Sequence, residues 1–322
     1  MKRFYLSLLL ALSVLAACKD GGGGGTIPDD PTPPGPETPV VVRPTLMELF
    51  NTQIGKQQDG TPRDKIFLVG HRANSYAAIM AGIPENSIPA IECAIEQGID
   101  MVEIDVRPTK DNVLVLMHNA TINSTTTGKG NVSDYTYEEL MQYDMKRGST
   151  VYRDAQNQTV KIPTLEEALL ACKDKIYVNL DVKDASAAKL CRIIKKCGMV
   201  DQVMIYTGSS VSVATEYQYE NYQIAVHPYI SKASDTGLFS ALPGAKLFQY
   251  GYDLYGEGGN PEIGREIRAR HYLSYSNLLN YDSQILNNNY TKLDAFIASE
   301  SDFLQTDYSE KVDAYLKTKN LR

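Results

Sequence analysis

Four short stretches of this 322-residue chain place chemically capable side chains at the ends of apolar runs. Ile66-Phe67-Leu68-Val69-Gly70 leads into His71-Arg72, and residues 101–106 carry Glu103 and Asp105 in alternation with Val102, Ile104 and Val106. Residues 113–117 end on His118, and residues 176–183 carry Asp181 and Lys183. In a strand, residues two apart share a face, so Glu103 and Asp105 project together while Val102 and Ile104 enter packing. A turn at Lys110-Asp111-Asn112 folds 113–117 back along that strand and brings His118 level with Ile104 and Asp105. Buried acids two apart repel unless a cation lies between them. Two histidines, an arginine and paired carboxylates converging on one spot point to metal-assisted phosphoryl transfer. A cation and Arg72 would neutralise the non-bridging oxygens of a phosphodiester, and a histidine would protonate its leaving group.

The elements that must position these groups follow a repeating order. Strands are expected at 66–70, 101–106, 176–183, 203–206, 223–227, 246–250, 272–275 and 303–305. Helices are expected at 88–97, ending at Gly98; at 164–172, where Thr164 and Glu167 form a capping box; and at 185–196, closed by Gly198. Eight strands, most followed by a helix, make an α/β fold of the (β/α)₈ TIM-barrel type. The stretch 107–163 breaks the rhythm, with only the return strand and a short helix at 137–143, and reads as a small insertion between strand two and helix two. In such barrels the chemistry lies at the C-terminal strand ends, where His71, Glu103 and Asp181 fall.

A net charge of −7 and a pI near 5.3 argue against nucleic acid as the partner. Cys93, Cys172, Cys191 and Cys197 lack C-x-x-C spacing, which argues against a zinc site, and they read as small buried hydrophobes. His227 and His271 read as ordinary packing histidines. Lys2 and Arg3 precede an apolar run at 4–17 of signal-peptide length, so 1–17 is expected to be an export signal. The run ends Leu15-Ala16-Ala17-Cys18, which resembles a bacterial lipobox; this implies a lipid-modified Cys18 anchored in a membrane of the cell envelope, on its periplasmic or outer face. Residues 18–45, rich in Gly and Pro, form a spacer before a catalytic barrel at 46–322.

The motifs His71-Arg72, Pro84-Glu85-Asn86-Ser87, Val102-Glu103-Ile104-Asp105-Val106, Thr109-Lys110-Asp111, His118, Thr125-Thr126-Thr127-Gly128, Ile162-Pro163-Thr164-Leu165-Glu166-Glu167, Asp181-Val182-Lys183 and Thr306-Asp307, taken in this order, resemble the glycerophosphodiester phosphodiesterase family, within the phospholipase C-like barrels. The resemblance implies hydrolysis of small glycerophosphodiesters, with His71 and His118 as general acid and base. It also implies one divalent cation, Ca²⁺ or Mg²⁺, on Glu103, Asp105 and Asp181, with Arg72 and Lys183 on the phosphate. Glu85 and Asn86 either support these groups or cap their loop. The chain departs from the family at Ala73, usually Gly; at Asn119, usually Asp; at Asp181, usually Glu; and at Tyr275, near the usual Trp. A carboxylate one methylene shorter withdraws its oxygen by roughly 1.5 Å, so Asp181 would ligate at the long end or through water, which Ca²⁺ tolerates better than Mg²⁺. Two other readings keep the same site: a phospholipase C- or D-like enzyme on intact lipid, and a surface lipoprotein that binds a phosphate-bearing ligand without turnover.

Overall fold

Strand residues here divide by period two into an outward apolar set and an inward set that grades from apolar to polar. In the computed structural model, which describes residues 43–251 and 262–322, the chain enters through helix α1 (Leu46–Gln58), capped by Thr45 and Glu48. Strand β1 (Phe67–Gly70), helix α2 (Tyr76–Met80), helix α3 (Ile88–Glu96) and strand β2 (Met101–Pro108) follow. The insertion holds β3 (Leu114–Leu116), α4 (Tyr137–Leu140), β4 (Lys146–Arg147) and β5 (Thr150–Val151). The alternation then runs α5 (Leu165–Cys172), β6 (Tyr177–Val182), α6 (Ala187–Cys197), β7 (Val203–Gly208), α7 (Val211–Glu220), β8 (Ala225–Ile230) and β9 (Leu247–Tyr250). It closes with α8 (Glu262–Ala269), β10 (Leu273–Asn277), α9 (Asp282–Leu286), α10 (Thr291–Ala298), β11 (Phe303–Thr306) and α11 (Ser309–Thr318). The expected export signal, Cys18 and nearly all of the spacer lie outside the described residues.

The strands β1, β2 and β6 to β11 pair in parallel, and β1 pairs with both β2 and β11, so the sheet closes into an eight-stranded (β/α)₈ barrel. Outward-facing Leu68, Val102, Ile104, Val178, Leu180, Ile205, Val226 and Leu304 pack under the helices. Inward-facing Phe67, Val69, Met101, Tyr177, Met204, Leu247, Leu273 and Phe303 fill the lower barrel. Leu46, Phe50 and Ile54, spaced four apart on one face of α1, close that lower end, with the Phe50 ring 5.9 Å from Phe303, edge to face. With the floor packed by apolar groups, polar side chains are left to the upper rim.

The return strand β3 runs antiparallel to β2 with Val106 opposite Leu116, a register that sets His118 level with Ile104 as expected. The insertion has its own core of Val115, Met117, Ile122, Val132, Leu140, Met145 and Ile162. Two local expectations shift and one element was not expected. Helix α4 stops at Leu140 instead of Tyr143, and the short β4–β5 hairpin has too little alternation to read from sequence. The fifth barrel strand runs past His227 through Pro228 to Ile230; the register shift in β7 between Tyr206 and Gly208 falls at Pro228, where no ladder N–H is available. The four cysteines among the described residues are free; Cys172, Cys191 and Cys197 are buried as expected, while Cys93 is half-buried.

Phe50→Ala removes the centre of the apolar floor. Urea unfolding of the variant is expected to show a loss of about 3–5 kcal/mol; a loss below 1 kcal/mol would mean that α1 does not hold the barrel closed.

Candidate active site

The upper rim is built from the last inward positions of successive strands. Glu103 and Asp105 come from β2 and Asp181 from β6, where register sets it directly beside Asp105. Glu103 and Asp105 are 5% and 1% exposed. One oxygen from each of the three acids lies within 4.8 Å of the others. His71, His118, Asn179, Tyr206, Gln249, Asn277 and Gln305 line the same cavity of about 180 Å³. Every site residue expected from sequence between His71 and Lys183 is therefore brought to this rim or its edge.

The loop after β1 is strained, and its strain aims polar groups inward. Gly70 has no room for a side chain, since a Cβ would meet the Asn74 carbonyl oxygen at 2.6 Å. Arg72 and Ala73 then both take left-handed backbone, φ 52° and 58°. For a non-glycine residue this costs about 1–2 kcal/mol. The turn presents the Arg72 N–H to Glu103 Oε2 at 2.8 Å, and the Asn86 N–H donates to the Arg72 carbonyl at 2.8 Å. Asn86, itself left-handed at φ 53°, accepts from the Asp105 N–H and donates to Asp105 Oδ2, both at 3.0 Å. Glu85 accepts from Arg72 NH1 at 2.8 Å. Both residues whose part was open in sequence thus brace charged groups of the rim.

Electrostatics follow from burial. The Glu103 carboxyl is pushed up to about 8, first by loss of solvent and then by the neighbouring Asp105 charge. Lys183 lies against the other two acids: its ammonium bonds Asp181 and sits 3.5 Å from Asp105 Oδ1. An all-oxygen set of three carboxylates suits a hard divalent cation. Burial alone would make His71 less basic, but its hydrogen bond to the Asp307 carboxylate and the charges of Glu103 and Asp307 outweigh it and leave its pKa raised. Its Nδ1 lies 3.0 Å from Asp307 Oδ1, and His118 Nδ1 lies 2.8 Å from Asn119 Oδ1. In each case the Nδ1 is engaged, so the Nε2 is the nitrogen left for chemistry.

Two supports were not assigned from sequence. Asp307 orients His71, and Asp282 holds Asp307 in turn by accepting from the Asp307 N–H at 3.0 Å and from the Thr306 hydroxyl. Burial pushes the Asp282 carboxyl up to about 7 against those hydrogen bonds. Thr306-Asp307 was visible as a motif; Asp282 carries no local signal, because its link to Asp307 forms only when α9 folds over the end of β11. His227 is wholly buried between Tyr206 and Tyr275, below the cavity, and His271 lies outside it.

A closed parallel barrel with its carboxylates and histidines gathered at the C-terminal rim is the architecture; residue matching then narrows it. Residues 71–236, a little over half of the chain, match the glycerophosphoryl diester phosphodiesterase family, and the chain belongs to it. Glycerophosphodiester phosphodiesterase 1 of Bos taurus is 35% identical over 139 residues, which cover 43% of this chain and 40% of that protein. The chain thus matches about two-fifths of that relative's length. Among solved structures, a glycerophosphoryl diester phosphodiesterase from Parabacteroides distasonis superposes with a TM-score of 0.68 at 23% identity, covering 84% of this chain and 92% of that one. An Oleispira antarctica phosphodiesterase in complex with the product sn-glycerol-3-phosphate superposes with a TM-score of 0.60 at 20% identity, covering 81% and 99%. These last two likenesses speak to the fold.

Ala73→Gly is expected to raise unfolding free energy by about 0.5–1 kcal/mol, because glycine relieves the left-handed strain at some entropic cost; a destabilised variant would mean that the methyl's packing outweighs the strain. Asp307→Asn removes the charge that raises His71, so the limb of the kcat/KM pH profile due to His71 moves acidward. An unmoved limb would detach His71 from that limb.

Proposed function

We propose that the chain hydrolyses glycerophosphodiesters to sn-glycerol 3-phosphate and an alcohol, using one divalent cation, Ca²⁺ or Mg²⁺. The observation that carries this reading is the convergence of three carboxylates within 4.8 Å with two histidines on one cavity. Family membership supports it, as does the product held by the Oleispira structure of the same fold. Glu103, Asp105 and Asp181 would hold the cation, which supplies charge neutralisation on the phosphoryl oxygens.

The chain's own groups divide the remaining work. Arg72 and Lys183, at the edges of the acid cluster, bind the diester's charge and fix its orientation. A water proton passes to one histidine Nε2 as the new P–O bond forms, and the other histidine gives a proton to the departing alkoxide as the old P–O bond breaks. Asp307 and Asn119 hold the two rings by Nδ1 so that each proton moves at Nε2. Such acid–base help is worth about 10²–10⁴-fold per group. The lipobox-like Leu15-Ala16-Ala17-Cys18 supports a companion proposal, a lipid anchor at Cys18 that tethers the barrel to a cell-envelope membrane.

Product analysis on glycerophosphodiesters, with and without chelator, tests the main reading: release of sn-glycerol 3-phosphate that stops on chelation is expected, and no release with either cation would overturn it. His71→Ala and His118→Ala are each expected to lower kcat by about 10²–10⁴-fold with folding intact. Near-normal turnover in either removes that histidine from the mechanism. Cys18→Ala is expected to leave activity unchanged while abolishing detergent-phase partitioning; partitioning that persists would remove the anchor.

A further inference from the structure

A second cavity, of about 390 Å³, adjoins the rim and is lined by Arg72, Glu85, Asn119, Ser124, Thr125, Lys146, Arg147 and Gly148. Arg72 is the wall between the two spaces. Its Nε lies 3.7 Å from Asp105 Oδ2 in the acid cluster, while its NH1 reaches Glu85 in the second cavity. On another side His118 lines the first space and Asn119, its hydrogen-bonded neighbour, lines the second. The cavity therefore begins one side chain away from where a scissile phosphate would sit, and extends toward the insertion.

Its lining has three cations against one carboxylate, in a chain whose net charge is −7. Glu85 is taken up by Arg72. Arg147 is pinned by the Asn74 side chain and the Ile83 carbonyl, at 3.0 and 2.7 Å. Lys146, half-buried on β4, forms no ion pair among the described residues. Ser124 and Thr125 add hydroxyls, and Asn119 donates to the Ser124 hydroxyl at 3.0 Å. A half-buried lysine with hydroxyls in the same cavity, opening on an arginine, is suited to an anionic, hydroxyl-rich group and disfavours a quaternary ammonium.

We propose that this cavity is the subsite for the departing alcohol, and that it selects alcohols bearing an anion, with Lys146 as the specificity-determining residue. The inference rests on the proposed diester hydrolysis and adds the substrate class to it. It also gives the insertion a role: β4 carries Lys146, and the loop after β3 carries Asn119, Ser124 and Thr125.

The test compares three substrates with the intact chain and saturating cation: glycerophosphocholine (cationic alcohol), glycerophosphoinositol (neutral) and glycerophosphoinositol 4-phosphate (anionic). Wild-type kcat/KM is expected to be at least tenfold higher on the anionic substrate than on the choline one. Lys146→Ala should erase about tenfold of that preference while holding the choline rate within twofold, and Lys146→Glu should invert the order. Equal rates on all three substrates, or a Lys146→Ala loss shared by all of them, would overturn the subsite while leaving diester hydrolysis standing. If no diester is turned over, the hydrolysis reading falls and calorimetric titration with inositol 1,4-bisphosphate alone still decides on the cavity. Saturable binding lost in Lys146→Glu supports it, and no binding by wild type overturns it.

Discussion

Crowding of like charge at the mouth of the barrel is the constraint on which the rest depends. Glu103 and Asp105 are two residues apart on one buried strand face, and register with β6 puts Asp181 beside Asp105. Loss of solvent and the neighbouring Asp105 charge both raise the Glu103 pKa. Around it the fold supplies partial compensation: the Arg72 N–H on Glu103, the Asn86 amide and the Asp105 N–H in a reciprocal pair, and the Lys183 ammonium between two carboxylates. These donors orient the acids so that one oxygen of each gathers on the same cavity, the arrangement that suits a hard cation.

The lower barrel makes this tolerable. A packed apolar floor, closed by α1, excludes water from beneath the rim, and the outward strand faces are fully used by helices. Polar inward residues are thereby confined to one layer, where the strained turn at Arg72-Ala73 and the left-handed Asn86 add backbone and amide donors. The same barrel ends set Asp307 under His71, so the β1 and β11 ends cooperate on one ring. Strain and buried carboxylates, both costly alone, are concentrated where they orient ionisable groups.

The eight-strand rhythm was legible because both faces of most strands are apolar, giving short runs such as Phe67–Val69 and Val203–Ile205, and the rim acids of β2 and β6 break those runs on the inward parity. The β2–β3 register was legible for the same reason, with Lys110-Asp111-Asn112 marking the turn. Helix α1 was not read, although Leu46, Phe50 and Ile54 carry its face, because its partners are the barrel interior and lie far away in sequence. Asn86 was ambiguous because capping a loop and bracing Asp105 need the same amide. Asp282 and Lys146 were silent, since each gains its meaning only from a tertiary neighbour: Asp307 for one, the Arg72 wall for the other.

The most direct measurement is calorimetric titration of Ca²⁺ and Mg²⁺ into the chelator-treated barrel, with Asp105→Asn alongside. One saturable site per chain, lost in Asp105→Asn while the fold is retained, is the result predicted by the account of the acid cluster. No saturable binding by the wild type, or binding that survives Asp105→Asn unchanged, would contradict it.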